Sequence, residues 1–230
     1  MKKIYIISLS ASNRRANIAK QLDNLAIDNY EFIDAFDARY LPETLLGELF
    51  DRERFFQLYQ RYPSNGEIGC TLSHISVIKK MRLEGISDAI ILEDDAILAS
   101  NFIDFYHDKI ETAAHFILLG YSKVSKTRAF YHYIKRRLVS DIVIKKRYSF
   151  GGIKNNFTCG TVGYYLNVKD VSNNFDSFLS SKPYFLADDW SIYSSFIKVK
   201  HLRPFAVFEN YKNMMSTIES GRAEKVKEAK

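Results

Sequence analysis

Ala89-Ile-Ile-Leu-Glu-Asp-Asp95 runs four apolar residues straight into three carboxylates, and that junction restricts the folds open to the chain. Three adjacent charges cannot be taken into a sheet interior, so the acids must emerge at the carboxyl end of a buried strand, the edge where open α/β sheets hold their ligands. Carboxylate oxygens gathered there suit a hard divalent cation, Mg²⁺ or Mn²⁺, which keeps positions for water and phosphate. Glu93-x-Asp95 then reads as a bridge between protein, metal and a diphosphate. The plainer alternative, a strand closing in a solvated acidic turn, is disfavoured by the further apolar run 96–99 before Ser100.

The pattern around this junction is alternating. Strands are expected at 3–9, 30–33, 89–92, 116–119, 158–166 and 198–202. Helices are expected at 14–25, through a Leu- and Phe-rich region at 42–59, and at 70–82, 102–110, 168–179 and 189–197, with a turn at 63–66 between the second and third. Strands alternating with helices argue for an α/β fold with a mainly parallel sheet. With 230 residues and 47% apolar content the chain can bury the core of one domain, expected over 1–220 with a basic aromatic insert at about 121–156. The tail 221–230, charged and without an apolar face, is expected to be disordered. No glycine-rich phosphate loop of either common type is present.

Charge is unevenly spread. Between Lys123 and Lys154 stand ten Lys or Arg against the single acid Asp141, an excess of nine that leaves −3 for the rest of a chain whose formal charge is +6. Aromatic and aliphatic residues alternate with these cations, a mixture suited to an anionic membrane surface or acidic acceptor. Nucleic acid is not the expected partner. Cys70 and Cys159 are too few for a disulfide framework, and the apolar stretch after Met1 is too short for a signal peptide. A cytoplasmic protein, peripheral on the inner face of a bacterial inner membrane, is expected.

Six ordered motifs carry a family resemblance: Ile6-Ile-Ser-Leu-Ser-Ala-Ser-Asn-Arg-Arg-Ala16, Phe32-Ile-Asp-Ala35, Gly66-Glu-Ile-Gly-Cys-Thr-Leu-Ser-His74, Ile91-Leu-Glu-Asp-Asp95, Cys159-Gly-Thr-Val-Gly-Tyr164 and Ala187-Asp-Asp-Trp190. Together, with Met215-Ser-Thr-Ile-Glu219 at the far end, they resemble the bacterial family 25 glycosyltransferases that build lipooligosaccharide and lipopolysaccharide. The resemblance implies a GT-A-type fold, a UDP-sugar donor (galactose foremost), a lipid-linked oligosaccharide acceptor, Mn²⁺ or Mg²⁺, and inversion at the anomeric carbon. It places Ser8, Arg14, Arg15, Asp34 and His74, together with Glu93 and Asp94, around the nucleotide sugar. Glu93, Asp94 and Asp95 replace the family's Asp-x-Asp, with Asp95 and Glu93 as the metal-binding pair. Gly160, Thr161 and Gly163 fall on the acceptor side.

Inverting transfer also needs a carboxylate to take the acceptor's proton. Asp188 and Asp189 precede a helix whose start favours negative charge and would hold their pKa down. By type alone such a residue is an ordinary helix cap; the resemblance makes the pair the base, Asp189 ahead of Asp188. His201 reads as a packing histidine more readily than as a further metal ligand, and a Cys70–His74 nucleophile pair lacks an orienting third group. A metal-dependent phosphohydrolase would use a similar acidic strand end but normally draws more ligands than are visible. A non-catalytic basic binding module would rest on 123–154 alone.

Overall fold

The computed structural model describes residues 1–110, 116–169 and 171–210; the expected tail at 221–230 and the motif at 215–219 lie outside the described residues. In chain order the elements are β1 (Lys3–Ser8), α1 (Arg15–Asp23), β2 (Tyr30–Asp34), α2 (Glu43–Leu49), α3 (Arg52–Tyr59), α4 (Asn65–Leu83), β3 (Asp88–Glu93), β4 (Ala96–Leu98), α5 (Phe102–His107), β5 (Phe116–Leu118), α6 (Lys126–Lys135), β6 (Ser140–Ile144), β7 (Ser149–Gly152), β8 (Gly163–Asn167), α7 (Asn173–Ser180), α8 (Trp190–Ser194), β9 (Val199–Arg203) and β10 (Val207–Glu209). An eight-stranded sheet has the order β2-β1-β3-β8-β5-β9-β7-β6. Six of these strands point the same way. β8 and β7 run against them, so each of their ladders is antiparallel.

Side-chain alternation explains the layers. Tyr5, Ile7, Ala89 and Ile91 face one side, where α4 packs through Ile75, Ile78 and Met81. Ile4, Ile6, Ile90 and Leu92 face the other, covered by Ile18 and Leu22 of α1 and by Phe102 and Phe105 of α5. Because β3 is covered on both faces it reads as a continuous apolar run rather than an alternating one, and each such side chain contributes about 1.5–3 kcal/mol of burial. Continuing the alternation, Glu93 falls on the α4 side. A smaller cluster of Leu46, Phe50, Phe55 and Ile68 joins α2 and α3 to the start of α4.

Several boundaries differ from expectation, each for a local reason. The helical region at 42–59 divides at Phe50 and Asp51, because Asp51 caps a new helix by accepting from the Arg54 N–H at 3.0 Å. α4 begins at Asn65 rather than Cys70: the segment taken as a turn is a capping box, with Ser64 and Glu67 satisfying each other's backbone donors. The basic aromatic segment, given no elements from sequence, is structured. It forms the helix α6 and the strands β6 and β7, which extend the main sheet, β7 pairing with β9. A two-stranded ribbon of β4 and β10, not expected from the sequence, sets Glu209 opposite Ala96.

Candidate active site

β1, β2 and β3 end side by side, with Ser8 opposite Asp34 and Ile7 opposite Glu93. β8 runs the other way, so residues 160–162, which lead into it, reach the same edge, and the Glu93 N–H donates to the Val162 carbonyl at 3.1 Å. Gly160 can take part because it adopts φ +85°, and a Cβ there would fall 1.8 Å from the Ser122 Oγ. Gly120 lets β10 approach: a Cβ on it would lie 1.9 Å from the Val207 carbonyl oxygen. The result is a cleft of about 270 Å³. Among the residues expected to form a site, Ser8, Arg14, His74, Glu93, Asp94, Asp95, Gly160, Thr161 and Asp188 line it.

The acids divide by their partners. Asp94 is committed to the protein, accepting from the Ser8 and Ser12 hydroxyls at 2.6 and 2.7 Å and pairing with Arg14 Nε at 3.3 Å. Glu93 accepts from Thr161 Oγ1, and its Oε1 lies 3.5 Å from His74 Nε2. Burial pushes Glu93 up, but His74, Thr161 and Arg14 outweigh it and hold the carboxyl below its usual range. Asp95 is different. Its Oδ2 lies 3.4 Å from Arg14 Nη1, while its buried Oδ1 has no hydrogen-bond partner among the described residues. Burial, then the charges of Glu93 and Glu209, push its pKa up to about 8.

A buried carboxylate oxygen without a partner among the described residues, with the charges of Glu93 and Glu209 acting on it, is the oxygen chemistry a hard divalent cation takes. Glu209 belongs to this group and was not anticipated. It lines the cleft, accepts from the Lys123 N–H at 2.6 Å, and is itself raised by burial. Its signal was available: Val207-Phe-Glu209 repeats in miniature the apolar run ending in an acid at Glu93.

The adjacent aspartates are separated by structure. Asp188 lines the cleft and accepts from the Gly160 N–H at 2.9 Å. Burial raises its pKa against that hydrogen bond, contrary to the lowering expected from the helix start, because α8 has only five residues and the carboxylate is withdrawn from water. Asp189, given the first place from sequence, points elsewhere. Its Oδ1 caps α8 by accepting from the Ser191 N–H at 3.3 Å, and its Oδ2 accepts from the Tyr59 hydroxyl at 2.7 Å. Asp189→Ala should therefore cost about 2–3 kcal/mol of stability, combining a lost cap with a disrupted, partly buried Tyr59 bond. Chemical denaturation reads this directly; a loss below about 0.5 kcal/mol would mean the carboxylate does not hold the fold.

Three other expected residues also fall outside the cleft lining. Arg15 donates to the Ser8 carbonyl at 3.0 Å and pairs with the exposed Asp34, so the two brace the end of β1 from its rim. Gly163 lies within β8, where a Cβ would press on Val207 and Leu92, a packing requirement rather than an acceptor contact.

His201 is fully buried, bonded through Nδ1 to the Tyr121 hydroxyl at 2.8 Å and through Nε2 to Asn156 at 2.9 Å. Burial, with Arg203 and Arg136 nearby, pushes it down to about 3. Unfolding raises it to its ordinary value near 6.5, so the unfolded chain binds the extra proton, and stability is lost as pH falls from about 6.5 towards 3. His201→Gln should reduce the pH slope of stability between about pH 6 and 4 by up to roughly 1.4 kcal/mol per unit. Equal slopes in the two proteins would contradict a histidine held neutral.

The sequence profile described as glycosyltransferase family 25 (LPS biosynthesis protein) matches residues 1–190. Among curated proteins, "Probable inactive glycosyltransferase 25 family member 3" of Rattus norvegicus is 31% identical over 104 residues, 44% of this chain and 18% of that protein. "Inactive glycosyltransferase 25 family member 3" of Mus musculus is also 31% identical, over 44% of this chain and 17% of its own length. The chain thus spans less than a fifth of the curated relatives it matches. Among solved structures, a glycosyltransferase involved in glycosylation of the major capsid of PBCV-1 aligns over 97% of this chain and 99% of its own at 7% identity and TM-score 0.41. Mouse xyloside xylosyltransferase 1 aligns over 76% and 57% at 17% identity and TM-score 0.35.

Proposed function

This chain belongs to glycosyltransferase family 25, and from that premise we propose that its cleft transfers a hexose, galactose foremost, from a UDP-sugar to an oligosaccharide acceptor of the lipooligosaccharide or lipopolysaccharide type, with inversion. The observation that carries the reading is the convergence of Glu93, Asp95, Glu209 and Asp188 on one cleft at the carboxyl edge of the sheet. Asp95, through its unpartnered oxygen, with Glu93 and Glu209 beside it, would hold Mg²⁺ or Mn²⁺. Such an ion supplies charge stabilisation for a departing diphosphate.

The chain's own residues then divide the work. Arg14 holds Asp94 and Asp95 in register and adds positive charge at the leaving-group end. Ser8, fixed by Arg15 and bonded to Asp94, sets the floor of the donor side. On the opposite side Asp188 accepts the proton of the attacking acceptor hydroxyl. The new bond joins that oxygen to the anomeric carbon as the bond from that carbon to the diphosphate oxygen breaks. A raised Asp188 pKa suits this task, since a stronger base takes the hydroxyl proton more readily. The names of the rat and mouse relatives suggest a second reading, a non-catalytic member; incubation with UDP-hexose, a glycan acceptor and Mg²⁺ or Mn²⁺ separates the two by formation of a new glycoside.

The acceptor's lipid anchor accounts for the basic face. Phe130, Tyr131 and Ile134 of α6 and Ile142 and Ile144 of the edge strand β6 are exposed, Phe130 at 68% and Ile144 at 82%. Lys135, Arg137, Lys145 and Lys146 are exposed in the same segment, and none of the helices among the described residues is long and apolar enough to cross a membrane. Of the six cations Lys135, Arg136, Arg137, Lys145, Lys146 and Arg147, Arg136 is set aside because its guanidinium stacks 3.5 Å over Phe157, and Arg147 because it pairs with Asp104 at 3.6 Å. Changing the four to Gln should weaken binding to anionic vesicles by roughly 10²–10³-fold, at about 1 kcal/mol per cation, and added salt should act similarly. Transfer to a short soluble acceptor should persist. Unchanged vesicle sedimentation would remove the face from the account.

A further inference from the structure

Cys70, His74 and Glu93 form a second ligand cluster in the same cleft, chemically unlike the acids around Asp95. Cys70 and His74 stand four residues apart on one face of α4, and Glu93 ends β3 against that face. One ligand atom from each lies within 4.8 Å of the others. The histidine is fixed: its ring is 2% exposed, and Nδ1 bonds the Tyr164 hydroxyl at 2.9 Å. That leaves Nε2 turned towards Glu93 Oε1 at 3.5 Å, long for a hydrogen bond. It matches the roughly 3.3 Å edge of a tetrahedron built on nitrogen and oxygen ligands about 2.05 Å from zinc. Thr161 holds Glu93 from its other side. A partner on the outer histidine nitrogen and a braced carboxylate are what a metal centre requires behind its ligands.

We propose that Cys70, His74 and Glu93 bind a borderline divalent cation of the zinc class, with the fourth position open to the cleft that all three residues line. Thiol and imidazole select Zn²⁺ or Co²⁺ over Mg²⁺, whereas the set around Asp95 offers oxygen alone. The two sites share Glu93. A zinc-class ion would withdraw that carboxylate from the acidic group, so Zn²⁺ should oppose any activity that depends on Mg²⁺. Binding itself does not depend on the transferase reading, and a failure of either leaves the other standing.

Co²⁺ serves as the probe, added to the purified, reduced full chain under anaerobic conditions. One equivalent should produce a near-ultraviolet thiolate-to-cobalt absorption that Zn²⁺ displaces and excess Mg²⁺ does not. Cys70→Ser should abolish the band and Cys159→Ser should keep it. Tyr164→Phe, which leaves all three ligands in place, should weaken Co²⁺ binding about 10–100-fold. X-ray absorption of wild-type protein with one equivalent of Zn²⁺ needs no variant to fold, and should show one sulfur near 2.3 Å with lighter atoms completing the shell. A zinc shell of nitrogen and oxygen only, no cobalt band in the wild type, or a band that survives Cys70→Ser would each overturn the proposal.

Discussion

Asp95→Ala is expected to reduce sugar transfer to below about one per cent of wild type and to remove the dependence of UDP binding on Mg²⁺ or Mn²⁺, while the fold persists. Asp95 is the only one of the three strand-end acids with a buried oxygen left unpartnered among the described residues; Asp94 is tied to Ser8, Ser12 and Arg14. Loss of a cation that stabilises a leaving diphosphate by several kcal/mol corresponds to a factor of 10² or more. The fold should tolerate the change. A carboxyl whose pKa is pushed to about 8 by burial and like charges is held at a cost, and removing it relieves Glu93 and Glu209. Steady-state kinetics alongside calorimetric titration of UDP with and without the cation measure both effects. Activity above about one per cent from a folded variant would remove Asp95 from the metal site.

Asp188→Asn should lower turnover by roughly 10²-fold or more with donor and cation affinity near normal, since a general base acts on the proton and not on the nucleotide. Asparagine preserves the shape and can still accept from the Gly160 N–H. Asp189→Asn should behave otherwise, keeping most of its turnover per folded molecule and losing stability, because its oxygens serve Ser191 and Tyr59. If the two variants lose turnover equally, the division of roles between the neighbours is wrong. If Asp188→Asn loses donor affinity in proportion, that residue lies in the donor pocket.

The contrast between these neighbours marks how far the sequence could be read. The strand-end acids were legible because β3 is buried on both faces, and its unbroken apolar run fixes where the charges must emerge. Asp188 and Asp189 were not separable. What separates them is Tyr59, 130 residues away, together with the leader into β8, neither of which leaves a local pattern. The pKa of Asp188 was read in the wrong direction for a related reason: the helix-start argument is local, whereas burial by the assembled cleft decides the sign. Glu209 was missed because β4 and β10 have three residues each, too short for a period to register. In the basic segment the charges obscured Ser125, which caps α6 by accepting from the Arg128 N–H at 3.3 Å. β6 gave no alternation to follow, being exposed on nearly every side chain.

Under the proposed function the acidic cleft joins a hexose to an acceptor rather than hydrolysing a phosphate ester or merely binding. The fate of the anomeric carbon separates these three outcomes. The full chain is incubated with UDP-[1-¹³C]galactose, a truncated lipooligosaccharide and Mg²⁺ or Mn²⁺, and the products are read by NMR. The account predicts a new anomeric signal of inverted configuration relative to the donor, appearing in equal amount with UDP and suppressed by chelator or by Asp95→Ala. UDP accompanied only by free galactose, a product of retained configuration, or donor left intact with every UDP-hexose and acceptor tried would contradict it.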